Sequence, residues 1–272
     1  MKALGIGRGA VVSFVGGGGK TSAMFRLASE MSAEGLRVVT TTTTHIAEDQ
    51  VFLAPASISP DRIDLLKEHL DRFRHCLLVG PPDGKGRVTG VPPDLIQQLK
   101  ARPEVDAVVV EADGSRSLPF KAPAGHEPVL PETTTVLVPV AGLDSIGRPL
   151  DEKHVHRAEI AASLARQPLG SPVTADTVAR VLLHPAGGAK GRPPGARLIP
   201  LLNKADFQDA LGRGREIAEM LMEDPSVDSV VIGSMLQDPP ALETWVPVAG
   251  IVFADTGPKA DGAAGPITPW SF

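Results

Sequence analysis

The sequence predicts an α/β fold built on a doubly wound, mostly parallel sheet of about seven strands. Three observations predict it. Seven short, β-branched apolar runs recur along the 272 residues, at 10–15, 37–41, 76–79, 107–110, 135–140, 198–202 and 229–232. They are continuous rather than alternating, as in strands covered on both faces. Helical patterns lie between them, which is the alternation that makes a parallel sheet. The first run also leads straight through four glycines into Lys20-Thr21 and a helical stretch.

Taken in order, residues 21–33 place Met24, Leu27, Ala28 and Met31 on one stripe, and Gly35 ends it. Helical patterns also cover 62–73, 94–100, 152–164, 174–183 and 216–222. Two long irregular stretches, 112–134 and 185–196, interrupt the plan; loops of that length tend to be functional or mobile. The second is rich in Gly and Pro and reads as mobile. Gly and Pro, at 28 and 26, make up about a fifth of the chain, an excess that means long, shaped loops. The seven strands fit one sheet, so the expected organisation is a single domain over 1–254 and a Gly/Pro-rich tail over 255–272.

Composition narrows the function. Net charge is −5 and no stripe of Lys and Arg occurs, which argues against duplex nucleic acid. Tyr is absent and aromatics are 4%, which argues against stacking on single strands. Cys76 alone cannot build a disulfide framework or a Cys-based zinc site. No apolar run reaches the length of a membrane span or a signal peptide. A soluble, cytoplasmic chain is expected.

The chemistry gathers at strand ends. Gly16, Gly17, Gly18, Gly19, Lys20, Thr21 and Ser22 follow the first strand and open a helix. Glycine amides can turn toward phosphate oxygens and the helix dipole adds attraction. Lys20 would reach the β- and γ-phosphates and the Thr21 hydroxyl would ligate Mg²⁺. The longer Walker pattern wants Gly where Phe14 stands, so the loop fits the shorter G-x-x-G-K-T. Lys20 is expected to be partly exposed in the free protein. The fourth run ends in Glu111-Ala112-Asp113, two carboxylates able to hold Mg²⁺ or position a nucleophile. Asn203-Lys204-Ala205-Asp206 follows the sixth run and matches the N-K-x-D guanine reader; an N-cap role for Asp206 and an adenine reader remain alternatives.

Residues 40–44 are all Thr and follow the second strand; Thr42 and Thr43 are the candidates for Mg²⁺ or the γ-phosphate, and His45 for orienting a substrate. Arg116, Lys121, His126 and Glu127 crowd one long loop beside the phosphate site, where cations can hold an anionic second substrate or offset transition-state charge. Asp144, His156 and Arg157 are candidates to border the same crevice. His154 and His156 are two apart, a spacing that would ligate a metal jointly only off a helix.

These blocks in this order resemble the YqeC family: residues 15–21, 39–46, 111–116, 121–123 with 126–128, 142–144 with Gly147, His156-Arg157, and 203–206. The resemblance covers the chain to about Phe253. It implies a P-loop NTPase-like fold and an accessory role in maturing a selenium-dependent molybdenum hydroxylase or its cofactor. Implied partners are a selenium- or molybdopterin-related small molecule, the hydroxylase, or other accessory proteins. More distantly, the phosphate loop with Glu111-Ala112-Asp113-Gly114 is similar to the dethiobiotin-synthetase and metallochaperone NTPases, and the short loop to that of the Mur ligases. Two functions stand open: a Mg²⁺-dependent hydrolase or phosphotransferase using GTP or ATP, and a nucleotide-gated delivery or scaffold protein.

Overall fold

A computed structural model describes residues 2–207, 209–248 and 251–256. The seven apolar runs all become strands of one sheet, to which the structure adds edges. We number the principal strands β1 (Ala10–Gly16), β2 (Val38–Thr42), β3 (His75–Leu78), β4 (Ala107–Glu111), β5 (Val136–Gly142), β6 (Leu201–Asn203), β7 (Val230–Gly233), β8 (Ala241–Val248) and β9 (Ile251–Thr256). Their order across the sheet is β9-β8-β7-β6-β5-β1-β4-β2-β3, with Ser57–Ile58 beyond β3 and Arg197–Leu198 beside β5. Pairing is parallel from β7 to the Ser57–Ile58 edge; β8 and β9 are antiparallel. Among the described residues the sheet thus has eleven strands rather than about seven.

The run at 198–202 divides into two strands around Pro200, which has no N–H for the ladder. Strand β9 runs two residues past the expected domain limit at 254, and the rest of the expected tail lies outside the described residues.

Alternating residues of β1 feed two cores. Val12 and Phe14 pack with Met24, Leu27 and Met31 of helix α1 (Lys20–Ala33). Val11 and Val15 face the other layer. That layer holds α2 (Leu66–Phe73), α3 (Pro93–Lys100), α4 (Ala158–Ala165), α5 (Ala175–Leu183) and α6 (Ala210–Met222). Both faces are covered, which is why the strands read as unbroken apolar runs.

Two expectations are corrected. The helix expected from 152 begins only at Ala158, because the Glu152 carboxylate accepts from the Arg157 and Ala158 amides and Asp151 takes those of Lys153 and His154. Those bonds fold 151–154 into a turn, and Val155–His156 pairs in parallel with Phe120–Lys121. The stretch 185–196, expected to be mobile, is tied down. Lys190 Nζ donates to the Ala124 and Gly125 carbonyls, and Arg192 to that of Ser226.

At the start of β3, buried His75 shares a 2.9 Å hydrogen bond with the Thr40 hydroxyl, and burial lowers its pKa to about 4. Between pH 6.5 and 4 the unfolded chain therefore takes up a proton at this position that the native state refuses. Stability should rise with pH across this window, with His75 contributing on the order of 3 kcal/mol. Urea unfolding from pH 4 to 7 checks this: His75→Gln should flatten the dependence, and an unchanged slope contradicts it.

Candidate functional site

The carboxyl ends of β4, β1, β5 and β6 meet at the middle of the sheet. They bring Glu111, Gly16, Gly142 and Asn203 to one edge, where the strand order reverses on either side of β1. The glycine loop turns there into α1. Gly16, Gly18 and Gly19 have φ of +96°, +83° and +114°, which L side chains rarely adopt. A Cβ on Gly18 would overlap the Gly142 backbone and the Pro119 carbonyl; one on Gly19 would overlap the Asn203 amide. No side chain caps α1, and among the described residues nothing accepts from the amides of Gly19, Lys20, Thr21 and Ser22. Four unpaired donors at the start of a 14-residue helix make an anion site.

Lys20 is buried, at 3% exposure, which corrects the expectation of a partly exposed side chain. Its Nζ donates to the Gly16 carbonyl at 2.8 Å and lies 3.3 Å from Asp113 and 3.5 Å from Glu111. Burial opposes the charge, but the two carboxylates outweigh it and raise the pKa above its ordinary value. Glu111 is pushed up by burial, against the pull of Lys20 and a 2.6 Å bond from the Thr21 hydroxyl. Asp113, 1% exposed, accepts the Gly16 amide on both oxygens and meets Lys121 at 3.0 Å. Lys121 donates to Glu127 at 2.6 Å, and Arg157 grips Glu127 with two N–H groups at 2.7 and 2.9 Å. Lys121 and Arg157 hold the Glu127 carboxyl below its usual range against its partial burial.

The Mg²⁺ candidates divide. Thr21 and Glu111 place two hard oxygen donors together at the mouth of the loop, which fits Mg²⁺. Asp113 already serves the Gly16 amide and two lysines. The Thr42 hydroxyl donates to the Glu111 carbonyl and that of Thr43 to the Val129 carbonyl, so both are engaged in holding the backbone. Among the described residues no group of three or more His, Cys, Asp or Glu is placed to hold a metal, and His154 is bonded to Asp151.

Beside the glycine loop is a cavity of about 320 Å³ lined by Gly19, Ser22, Asp144, Asn203, Lys204, Asp206, Phe207, Ser234, Met235 and Leu236. Asn203 is 3% exposed; its Nδ2 donates to the Gly18 carbonyl at 2.7 Å and its Oδ1 accepts the Met235 amide. Lys204 pairs with Asp144 at 2.8 Å. The other oxygen of Asp144 is buried without a hydrogen-bond partner, and exposed Asp206 lies on the same wall. Asp144, expected to border the crevice, lines this cavity together with Asn203, Lys204 and Asp206. Ser234, Met235 and Leu236 escaped the sequence reading. Their signal was a Gly-Ser pair at the carboxyl end of the strand next to Asn203. A larger hollow of about 880 Å³, between α1, the N-terminal turn and β8, is lined by none of the candidate functional residues.

Other candidates stand apart. His45 is exposed on a short strand, His45–Ala47, paired with Arg87–Thr89. His126 is largely exposed, 3.9 Å from Glu127. Arg116 is exposed with φ of +51° and has no partner among the described residues.

Strand, glycine loop, lysine and helix, with a neighbouring strand ending in an acid, define an α/β protein of the phosphate-loop kind. The YqeC family profile matches residues 12–159. The uncharacterized protein YqeC of Escherichia coli (strain K12) is 32% identical over 254 residues, which covers 88% of this chain and 93% of that protein. The chain belongs to the YqeC family. Among solved structures, chloroplast FtsY from Physcomitrella patens matches with a TM-score of 0.31 at 13% identity, over 85% of this chain and 52% of that one. FtsY from Mycoplasma mycoides in space group H32 matches with a TM-score of 0.35 at 15% identity, over 82% and 60%. The chain thus spans between half and two thirds of the length of these FtsY chains. No described helix is long and apolar enough to cross a membrane.

Because Lys20 balances two buried carboxylates, Lys20→Ala should cost stability as well as any ligand affinity. Leaving a buried charge unpaired costs about 3–5 kcal/mol. Denaturant unfolding of the ligand-free variant checks this; wild-type stability would show that the carboxylates do not depend on Lys20.

Proposed function

We propose that the protein binds a nucleoside triphosphate with Mg²⁺, with guanine as the base, and acts as an NTPase or phosphotransferase. One observation carries the reading: the Asn203 side chain spans the Gly18 carbonyl and the Met235 amide, locking the phosphate loop to the wall of the base pocket. Lys20 would exchange its contacts with Gly16, Glu111 and Asp113 for the β- and γ-phosphates, while the amides of residues 19–22 take phosphate oxygens. Thr21 and Glu111 would hold the Mg²⁺. The ion supplies charge to offset the phosphates.

Base choice follows from donor and acceptor count. The pocket offers the exposed Asp206 carboxylate, while Asp144 lines it with one oxygen paired to Lys204 and the other buried. Guanine presents N–H donors at N1 and at its exocyclic amine, whereas adenine has no donor at N1. A second reading, nucleotide-gated docking, is supported by the Gly18 amide, which donates to the Leu118 carbonyl. Phosphate in the loop would then be felt directly in 115–119. In either reading we propose an accessory role in maturing a molybdenum enzyme or its selenium-containing cofactor, the context implied by the sequence blocks at 15–21, 111–116 and 203–206.

Calorimetric titration tests the base. GTP should bind at least about tenfold tighter than ATP, a difference of about 1.4 kcal/mol. Asp206→Asn should move preference toward xanthosine triphosphate, whose 2-oxo group accepts from the new amide. Equal affinities with no effect of the substitution would overturn guanine reading, and no binding of any triphosphate would overturn the nucleotide reading itself.

A further inference from the structure

Beside the phosphate loop lies a group of cations that nucleotide binding does not use. The parallel ribbon of Phe120–Lys121 and Val155–His156 makes Lys121 and His156 register partners. Lys121 Nζ is fully enclosed by Asp113, Glu127 and the Gly114 carbonyl. Arg157, in left-handed backbone at φ +60°, is anchored on Glu127 and by its amide on Glu152. His156 is 6% exposed, and its Nδ1 is buried with no partner. Arg116, exposed on the 114–119 loop and without a side-chain partner among the described residues, adds positive potential at the same imidazole.

Three cations thus act on one ring, and the nearby carboxylates are already divided. Asp113 is shared with Lys20, and Glu127 is divided between Lys121 and Arg157. Burial, then Arg157, Lys121 and Arg116, depress the His156 pKa to about 4, with Glu127 opposing. A buried, unsatisfied imidazole nitrogen among cations is a cost that a bound anion would remove.

We propose that His156, Arg116 and Arg157 line a second site for a small dianionic oxyanion, such as a phosphate monoester or a comparable tetrahedral oxyanion. His156 and Lys121 are buried, so the proposed ligand is a small anion rather than a macromolecular surface. The site is one carboxylate from the phosphate loop, since Asp113 touches both Lys20 and Lys121. Its role as the seat of a second substrate rests on the nucleotide reading; the anion site itself does not.

Imidazole NMR with inorganic phosphate as the probe tests this, with His156→Gln used to assign the resonance. Phosphate should raise the His156 pKa by at least about one unit, because an anion favours the charged ring. The response should persist with Mg²⁺ and a non-hydrolysable GTP analogue filling the phosphate loop. Arg116→Gln, at an exposed position, should weaken phosphate affinity at least about fivefold. The proposal is overturned by a His156 signal indifferent to phosphate, by a response that vanishes when the analogue binds, or by unchanged affinity in Arg116→Gln. If the analogue fails to bind while phosphate still shifts His156, the nucleotide reading falls and the anion site stands.

Discussion

A buried row of alternating charge, running Glu111, Lys20, Asp113, Lys121, Glu127, Arg157, sets the geometry of the functional edge. Each ion would be costly alone, and each is tolerated because neighbours of opposite sign and backbone groups complete its shell. The row joins the glycine loop, the end of β4, the 114–131 loop and the ribbon at His156, elements drawn from across more than half of the sequence. Apolar side chains of similar volume would hold these elements at least as firmly. The row is therefore better explained by what it positions than by the stability it adds.

The same edge explains why the loop departs from the longer Walker pattern. Gly16 and Gly18 lie against the backbone of β5, Gly17 against the 118–120 strap, and Gly19 against Asn203. Four consecutive glycines are needed because every one of the four positions is closely approached, three of them by backbone atoms. Phe14, standing where the longer pattern has its first glycine, is instead a core side chain packed under α1.

What the sequence disclosed divides along the same physical line. The parallel core, the phosphate loop and the Asn203 turn were legible because their chemistry is local: apolar runs, consecutive glycines, a polar tetrad after a strand. The burial of Lys20 was not legible, since its partners Glu111 and Asp113 lie on a different strand. The pairing of Asp144 with Lys204 was not legible, since only the parallel pairing of β5 with β6 brings them together. The antiparallel strands β8 and β9 escaped because β8 is a half-buried strand with polar positions and a proline, lacking the unbroken apolar run of the central strands. The late start of α4 turned on side-chain capping by Asp151 and Glu152, which competes with helix in a way periodicity does not register.

Shared partners also make the two anion sites energetically dependent on each other. Asp113 divides its charge between Lys20 and Lys121, and Glu127 divides its own between Lys121 and Arg157. A phosphate that draws Lys20 away leaves Asp113 to Lys121 alone. Lys121 then leans less on Glu127, and the Glu127–Arg157 pair tightens. An anion at Arg157 and His156 pulls on the row from its other end. Because both ligands act on one set of ion pairs, whatever effect the first has on the affinity of the second must be returned in equal measure. Buried pairs are screened little by salt, so this coupling survives ionic strengths that would silence a surface network. The row is thus a fixed electrostatic link between the glycine loop and the proposed second anion site, requiring no movement of the sheet.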